Sequence, residues 1–232
     1  MKRHIRKHLE KLIKIERIKR HPLIHHIHKK YKISRKTLFY VKEYGQHSNV
    51  VKTILRESIG ILILSAMLSS FGGIALEKIK MLFISITPLV IMLPTLNDMI
   101  GDYGTIVSSR FSTMLHEGKV RKKWWLENEI RQLFLQIFIV AMILSLISGA
   151  ISMLISNFSG HVLLFSTVWR IFLIVFLDVA LLVVIIFLVA IIYGLYLFRK
   201  GEDPNNFLIP ITTSIADFGN MLVLAGLILL FF

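Results

Sequence analysis

The chain has 232 residues, of which 55% are hydrophobic and only 18% charged, with 28 Lys and Arg against 14 Asp and Glu. A soluble domain carries about a quarter charged residues, so an enzyme with a watery surface is excluded. There is no cysteine, which removes disulfides, thiolate metal centres, iron–sulfur clusters and thiol catalysis.

The charge is unevenly placed. Seventeen of the 28 basic residues lie at or before Arg56, opposed there only by Glu10, Glu16 and Glu43. The chain therefore divides into a basic cytoplasmic segment, 1–52, and a membrane domain, 53–232. Within residues 1–21, Ile5, Leu9, Leu12, Ile13 and Ile18 recur at helical spacing among Lys and Arg. This predicts a basic amphipathic helix lying on anionic lipid, ended by Pro22. Such a tethered segment is not expected to bind nucleic acid. The stretch 23–52 reads as polar and irregular, and its His25, His26 and His28 cluster as solvated rather than metal-binding.

Five apolar spans follow, giving an all-α, multi-pass membrane fold. They cover about 53–76, 81–116, 130–155, 168–198 and 207–231. Each exceeds the ~20 residues needed to cross a hydrocarbon core of ~30 Å. The second is expected to be interrupted by polar residues at 97–104, with Gly101 and Gly104 breaking the helix. Lys119, Arg121, Lys122, Lys123 and Arg131 follow the second span, and Arg199 and Lys200 follow the fourth. The connection 157–161 has no Lys or Arg, and the turn after the first span only Lys78 and Lys80. The positive-inside rule puts the amino terminus in the cytoplasm, and an odd number of spans then puts Phe232 outside the cell membrane.

Acids inside a span are costly and mark function. Asp217 sits ten residues into the last span, ~15 Å deep. Thr213, Asp217 and Asn220 share its face, related by i, i+4 and i+7, with Ser214 beside them. Pro210 is expected to weaken the backbone ladder just before and to free a carbonyl. The second span carries a similar stripe of Asp98, Asp102, Thr105, Ser109 and Ser112. Asp98 and Asp102, four apart, repel unless a proton or a cation relieves them. Oxygen ligands, with no Cys and no His in the membrane core, favour a hard cation: Mg²⁺, Mn²⁺ or Ca²⁺. Asp178 in the fourth span has no evident partner, since Arg170 is two turns away. Arg110 reads as snorkelling to the cytoplasmic side.

Three separated blocks resemble the membrane domain of the MgtE magnesium transporters and the related solute carrier family 41. The first span opens with Arg56, Glu57 and Ser58 and closes with Glu77. The second contains PTLNDMIGDYGTIVSSRFSTMLHEG, with Pro94, Gly101, Ser109, Arg110, Ser112 and Thr113 matching. The last has DPNNFLIPITTSIADFGNML, with Asp203, Pro204, Pro210, Thr213 and Asp217 matching. The resemblance implies a five-helix protomer that dimerises around a cation pore, with Asp217 at the central ion site. Asp102 departs from the family, which has Asn there. The sensing domains of MgtE do not fit in 52 residues, so regulation by them is not expected, and a homodimer would supply the second half that eukaryotic relatives fuse.

The sequence thus predicts a divalent cation transporter or channel, not an enzyme, moving a largely hydrated Mg²⁺ past Asp217, Asp102, Asp98, Asn220 and Thr213. If a counter-ion is coupled, the paired acids of the second span are expected to carry it. The rival reading is a non-transporting scaffold or accessory subunit with a basic recruitment tail.

Overall fold

A computed structural model of the chain describes residues 50–120, 124–160, 164–200 and 202–232. The amphipathic helix expected at 1–21 and the His25, His26, His28 cluster lie outside these residues. Among the described residues every regular element is helical. Helix α1 covers Val50–Lys78, α2 Lys80–Ser85, α3 Thr87–His116, α4 Asn128–Phe158, α5 Phe165–Lys200 and α6 Pro204–Phe231, with a 3₁₀ turn at Trp124–Leu126 before α4.

The boundaries follow from local chemistry. Pro88 sits in the first turn of α3, where its missing N–H is no loss. The span expected from 81 is accordingly two helices, α2 and α3, broken at Ile86. Gly118 (φ 73°) and Gly160 (φ 86°) follow the ends of α3 and α4, taking up the left-handed conformation that stops a helix. Asp203 caps α6, its Oδ1 accepting from the Asn205 amide at 3.0 Å, with Pro204 next in line. This arrangement satisfies one orphan donor of the helix start.

One expectation is corrected. Helix α3 runs unbroken through 97–104, so Gly101 and Gly104 do not interrupt it. Four helices are long and apolar enough to cross a membrane: Ser58–Lys78, Asn128–Phe158, Phe165–Lys200 and Pro204–Phe231. Helix α3, 30 residues long, is not among them, because Asp98, Asp102 and Arg110 dilute its apolar surface.

The helices pack around α6, which touches α1, α3 and α5. Paired contacts give directions. Ser65 and Ser69 of α1 meet Pro210 and Asp217 in the same order, so α1 runs parallel to α6. Asn97 and Ser108 of α3 meet Asn220 and Thr212 in reverse order, so α3 is antiparallel to α6. Helix α5 is antiparallel to α6 too, with Gly194 against Leu208 and the Arg170 guanidinium donating to the Phe231 carbonyl at 3.0 Å. Phe134 against Phe187, and Gly149 against Phe172, set α4 antiparallel to α5.

On α3, Leu89, Met92, Leu96, Ile100, Tyr103, Val107, Phe111 and Leu115 recur every three or four residues and are all buried. They meet Ile171, Ile174, Leu182 and Ile186 of α5 in one core. Lipid is as apolar as these side chains, so close packing and small residues hold such a core together. The opposite face of α3 is the polar one.

Candidate functional site

That polar face and α6 border an open cleft of about 350 Å³, lined by Pro94, Asn97, Asp98, Gly101, Asp102, Thr105, Thr213 and Asp217. Four of the five residues expected at an ion site, Asp98, Asp102, Thr213 and Asp217, line this one space. Asp98 and Asp102 are exposed and Asp217 is partly buried. None of the three forms an ion pair among the described residues. Ser109 and Ser112, the far end of the expected α3 stripe, are not among the lining residues.

The hydroxyls sharpen the electrostatics. Thr213 Oγ1 donates to the Ile209 carbonyl at 2.9 Å, and Thr105 Oγ1 to the Gly101 carbonyl at 3.2 Å. With the hydrogen spent on backbone, each oxygen presents lone pairs. The lining is therefore rich in acceptors and carries three carboxylates. No group of three His, Cys, Asp or Glu among the described residues is close enough to grip a bare ion.

Asn220 stands one layer behind. It is fully buried, and its amide nitrogen donates to Asn97 Oδ1, whose residue faces the cleft. Gly101 borders the cleft and has open space where a Cβ would be. At Gly104 helix α3 packs tightly on α6, because a Cβ there would lie 3.0 Å from Thr212 Cβ and Oγ1. Ser108 and Thr212, both buried, pair their hydroxyls at 3.1 Å one turn further on.

Sequence reasoning missed the contribution of α1. Ser69 Oγ donates to Asp217 Oδ2 at 3.2 Å, and Ser65 Oγ to the Pro210 carbonyl at 3.1 Å. The Pro210 carbonyl also accepts from Ser214 Oγ at 2.6 Å, while α6 continues through the proline. The signal for α1 was its small-residue face, Ser65, Ser69 and Gly72. A Cβ at Gly72 would meet Met221 Sδ at 3.0 Å and Phe218 Cα at 3.1 Å. A second cavity of about 310 Å³ between α3 and α4 has a mostly apolar lining and no acid.

At the outer limits of the bundle, Arg170 also lies over the Phe232 ring, which leaves Asp178 without it. Near the other end, His116 of α3 lies 3.6 Å from Asp203, the cap of α6. Lys119 reaches Glu117 at 2.9 Å and Glu129 at 3.5 Å, and the Glu117 carboxylate raises its pKa.

No curated protein and no solved structure matches the chain. One family model does: that of MgtE, described as a divalent cation transporter, over residues 93–227. The match spans more than half of the 232 residues and takes in every residue lining the cleft. The second and third sequence blocks lie wholly within it, and the block of Arg56, Glu57 and Ser58 lies outside. With an acid-lined cleft between two helices inside the matched region, the chain belongs to the MgtE family of divalent cation transporters.

Proposed function

We propose that the protein carries Mg²⁺ across the cell membrane as a largely hydrated ion, through a path that two copies of the chain enclose. The observation that carries this reading is the convergence of Asp98 and Asp102 from α3 with Asp217 and Thr213 from α6 on one cleft. Mg²⁺ holds water at 2.0–2.1 Å. Adding a water radius of ~1.4 Å gives a hydrated ion of roughly 180 Å³. The cleft's 350 Å³ accommodates that ion with room for outer water. Ca²⁺ and Mn²⁺ accept the same oxygens and are competitors in the test.

The chain directions support five crossings. Helices α1, α4 and α6 are parallel, so the segment joining α1 to α4 must return through the bilayer, and α3 is the helix available. We place the amino terminus in the cytoplasm and Phe232 outside, in accord with Lys119 and Arg131 near one end of the bundle. A second copy facing the open side of the cleft would double the carboxylates and close the path. Asn220 acts through Asn97, which it holds toward the cleft. A scaffold or accessory subunit would have no use for an acid-lined cleft.

The magnitude can be bounded. A carboxylate acting through one water sits ~5 Å from the metal, the sum of an Mg–O bond and a hydrogen bond. In a wet cleft of effective dielectric 40–80, a divalent ion gains about 1.7–3.3 kcal/mol from each such charge. That is roughly 15- to 250-fold in apparent affinity. Protein reconstituted in liposomes with a Mg²⁺ dye inside should pass the ion, and Asp217→Ala should lose at least this much. Equal flux in wild type and variant removes Asp217 from the path.

A further inference from the structure

Helix α5 carries an acid that the cleft does not use. Asp178 is fully buried, and neither of its carboxylate oxygens has a hydrogen-bond partner among the described residues. Its position follows from its neighbours. Leu182, one turn along on the same face, lies against Gly219, where a Cβ would come within 2.7 Å of Leu182 Cδ2. Because α5 and α6 are antiparallel, Asp178 lies about one turn beyond Gly219 along α6. Gly219 is two residues from Asp217, about 200° around the helix. Asp178 therefore stands behind the helix whose front face holds Asp217.

The surrounding charges are few. On α5 itself, Arg170 is engaged by Phe231, and Tyr193, Tyr196, Arg199 and Lys200 lie four or more turns away. On α3, Asp98 and Asp102 face the cleft and Tyr103 is buried with its hydroxyl unpartnered; Arg110 and His116 lie further on, beside and beyond Phe111, which packs at Gly194. On α6 the titratable groups are Asp217, in the cleft, and Asp203, at the far end by His116. Helix α4 has no titratable residue after Arg131. An ionised carboxylate would thus stand in a low-dielectric core without counter-charge or donor, an arrangement proteins avoid. A metal ion would need several more oxygens, yet the nearest buried companions along α5 are Ile174, Val175, Val179 and Leu182. A proton needs no ligand shell.

We propose that Asp178 binds and releases one proton in step with cation occupancy of the cleft, so that Mg²⁺ movement is linked to a counter-movement of protons. This rests on the transport reading above. The carboxyl holds the proton while α6 covers it. A shift of α6 on cation binding at Asp217 opens Asp178 to water, the proton passes to that water, and the group is left with one negative charge. Linkage then requires pH to alter Mg²⁺ affinity by the same factor by which Mg²⁺ alters proton affinity.

The full-length protein is tested in liposomes holding both a Mg²⁺ dye and a pH dye. In wild type an inward Mg²⁺ gradient should drive protons outward. Asp178→Asn, which mimics the protonated acid, should keep downhill Mg²⁺ flux but lose about nine-tenths of the proton movement and the pH dependence of the flux. Mg²⁺ flux without proton movement in wild type, or wild-type proton movement in Asp178→Asn, overturns the proposal and leaves transport standing. Absence of Mg²⁺ flux in wild type overturns the transport reading and the proposal with it. If Asp178→Asn does not fold, infrared difference spectra decide. A Mg²⁺-dependent carbonyl band of a protonated carboxyl that shifts in Asp178→Glu supports the proposal, and a band that is absent or unmoved overturns it.

Discussion

Two glycines three residues apart on α3 should respond oppositely to the same substitution. A Cβ at Gly104 would lie 3.0 Å from Thr212 Cβ and Oγ1 and 3.4 Å from Thr212 C, whereas one at Gly101 meets nothing within 4 Å. Replacing a helical glycine by alanine gains about 0.5–1 kcal/mol of backbone entropy at either position. That gain cancels in the comparison, so the difference between the variants isolates the steric cost. Overpacking a tight contact costs about 1–3 kcal/mol. Separating α3 from α6 also stretches the Ser108–Thr212 pair at 3.1 Å, a membrane hydrogen bond of roughly 0.6 kcal/mol. Gly104→Ala should therefore be less stable than Gly101→Ala by about 1.5–3.5 kcal/mol. The assay is unfolding in mixed micelles by titration with a denaturing detergent, followed by helical circular dichroism. Gly101→Ala should unfold no earlier than wild type, although its methyl group narrows the cleft and should slow flux. Equal stability of the two variants, or a more stable Gly104→Ala, would refute the claim that Gly104 sets the distance between the helices bounding the cleft.

Three further outcomes are expected. Ser69→Ala removes the hydrogen bond that Ser69 of α1 donates to Asp217; since such a bond contributes about 0.5–1.5 kcal/mol, apparent Mg²⁺ affinity should shift by roughly 2- to 12-fold, and an unchanged half-saturating concentration would detach α1 from the site. Asn220→Leu strands the Asn97 carbonyl without its donor, so the protein should lose about 1–3 kcal/mol of stability on the same detergent titration, whereas Asn220→Asp, which also removes the donor but adds a charge in a fully buried place, should be worse. A peptide of residues 1–21 should sediment with anionic vesicles and not with neutral ones, the binding weakening as salt is raised; equal binding to both would reject the lipid-surface role.

Much was legible in the sequence because hydrocarbon imposes simple constraints. Apolar run length located α1, α4, α5 and α6 to within a turn or so, and the i, i+4 spacing put Thr213 and Asp217 on one face of α6 before any packing was known. The acids at 98 and 102 stood out for the same reason: few positions in a span tolerate charge, so each exception is visible.

What the sequence alone could not decide was which faces meet. Glycine propensity argued for a break at 101 and 104, yet packing of Leu96, Ile100, Tyr103 and Val107 into the core keeps α3 continuous, and the two glycines serve as a gap beside the cleft and a seat for Thr212. Asn220 shares a helical face with Asp217 by periodicity, but the close approach of α3 turns it toward Asn97. Ser69 reaches Asp217 across 148 residues of chain, a distance no local pattern spans. Local periodicity fixes which side chains share a helix face, while the tertiary packing of α1 and α3 on α6 decides which of those faces becomes a cleft, because partner identity depends on the fit of side chains far apart in sequence.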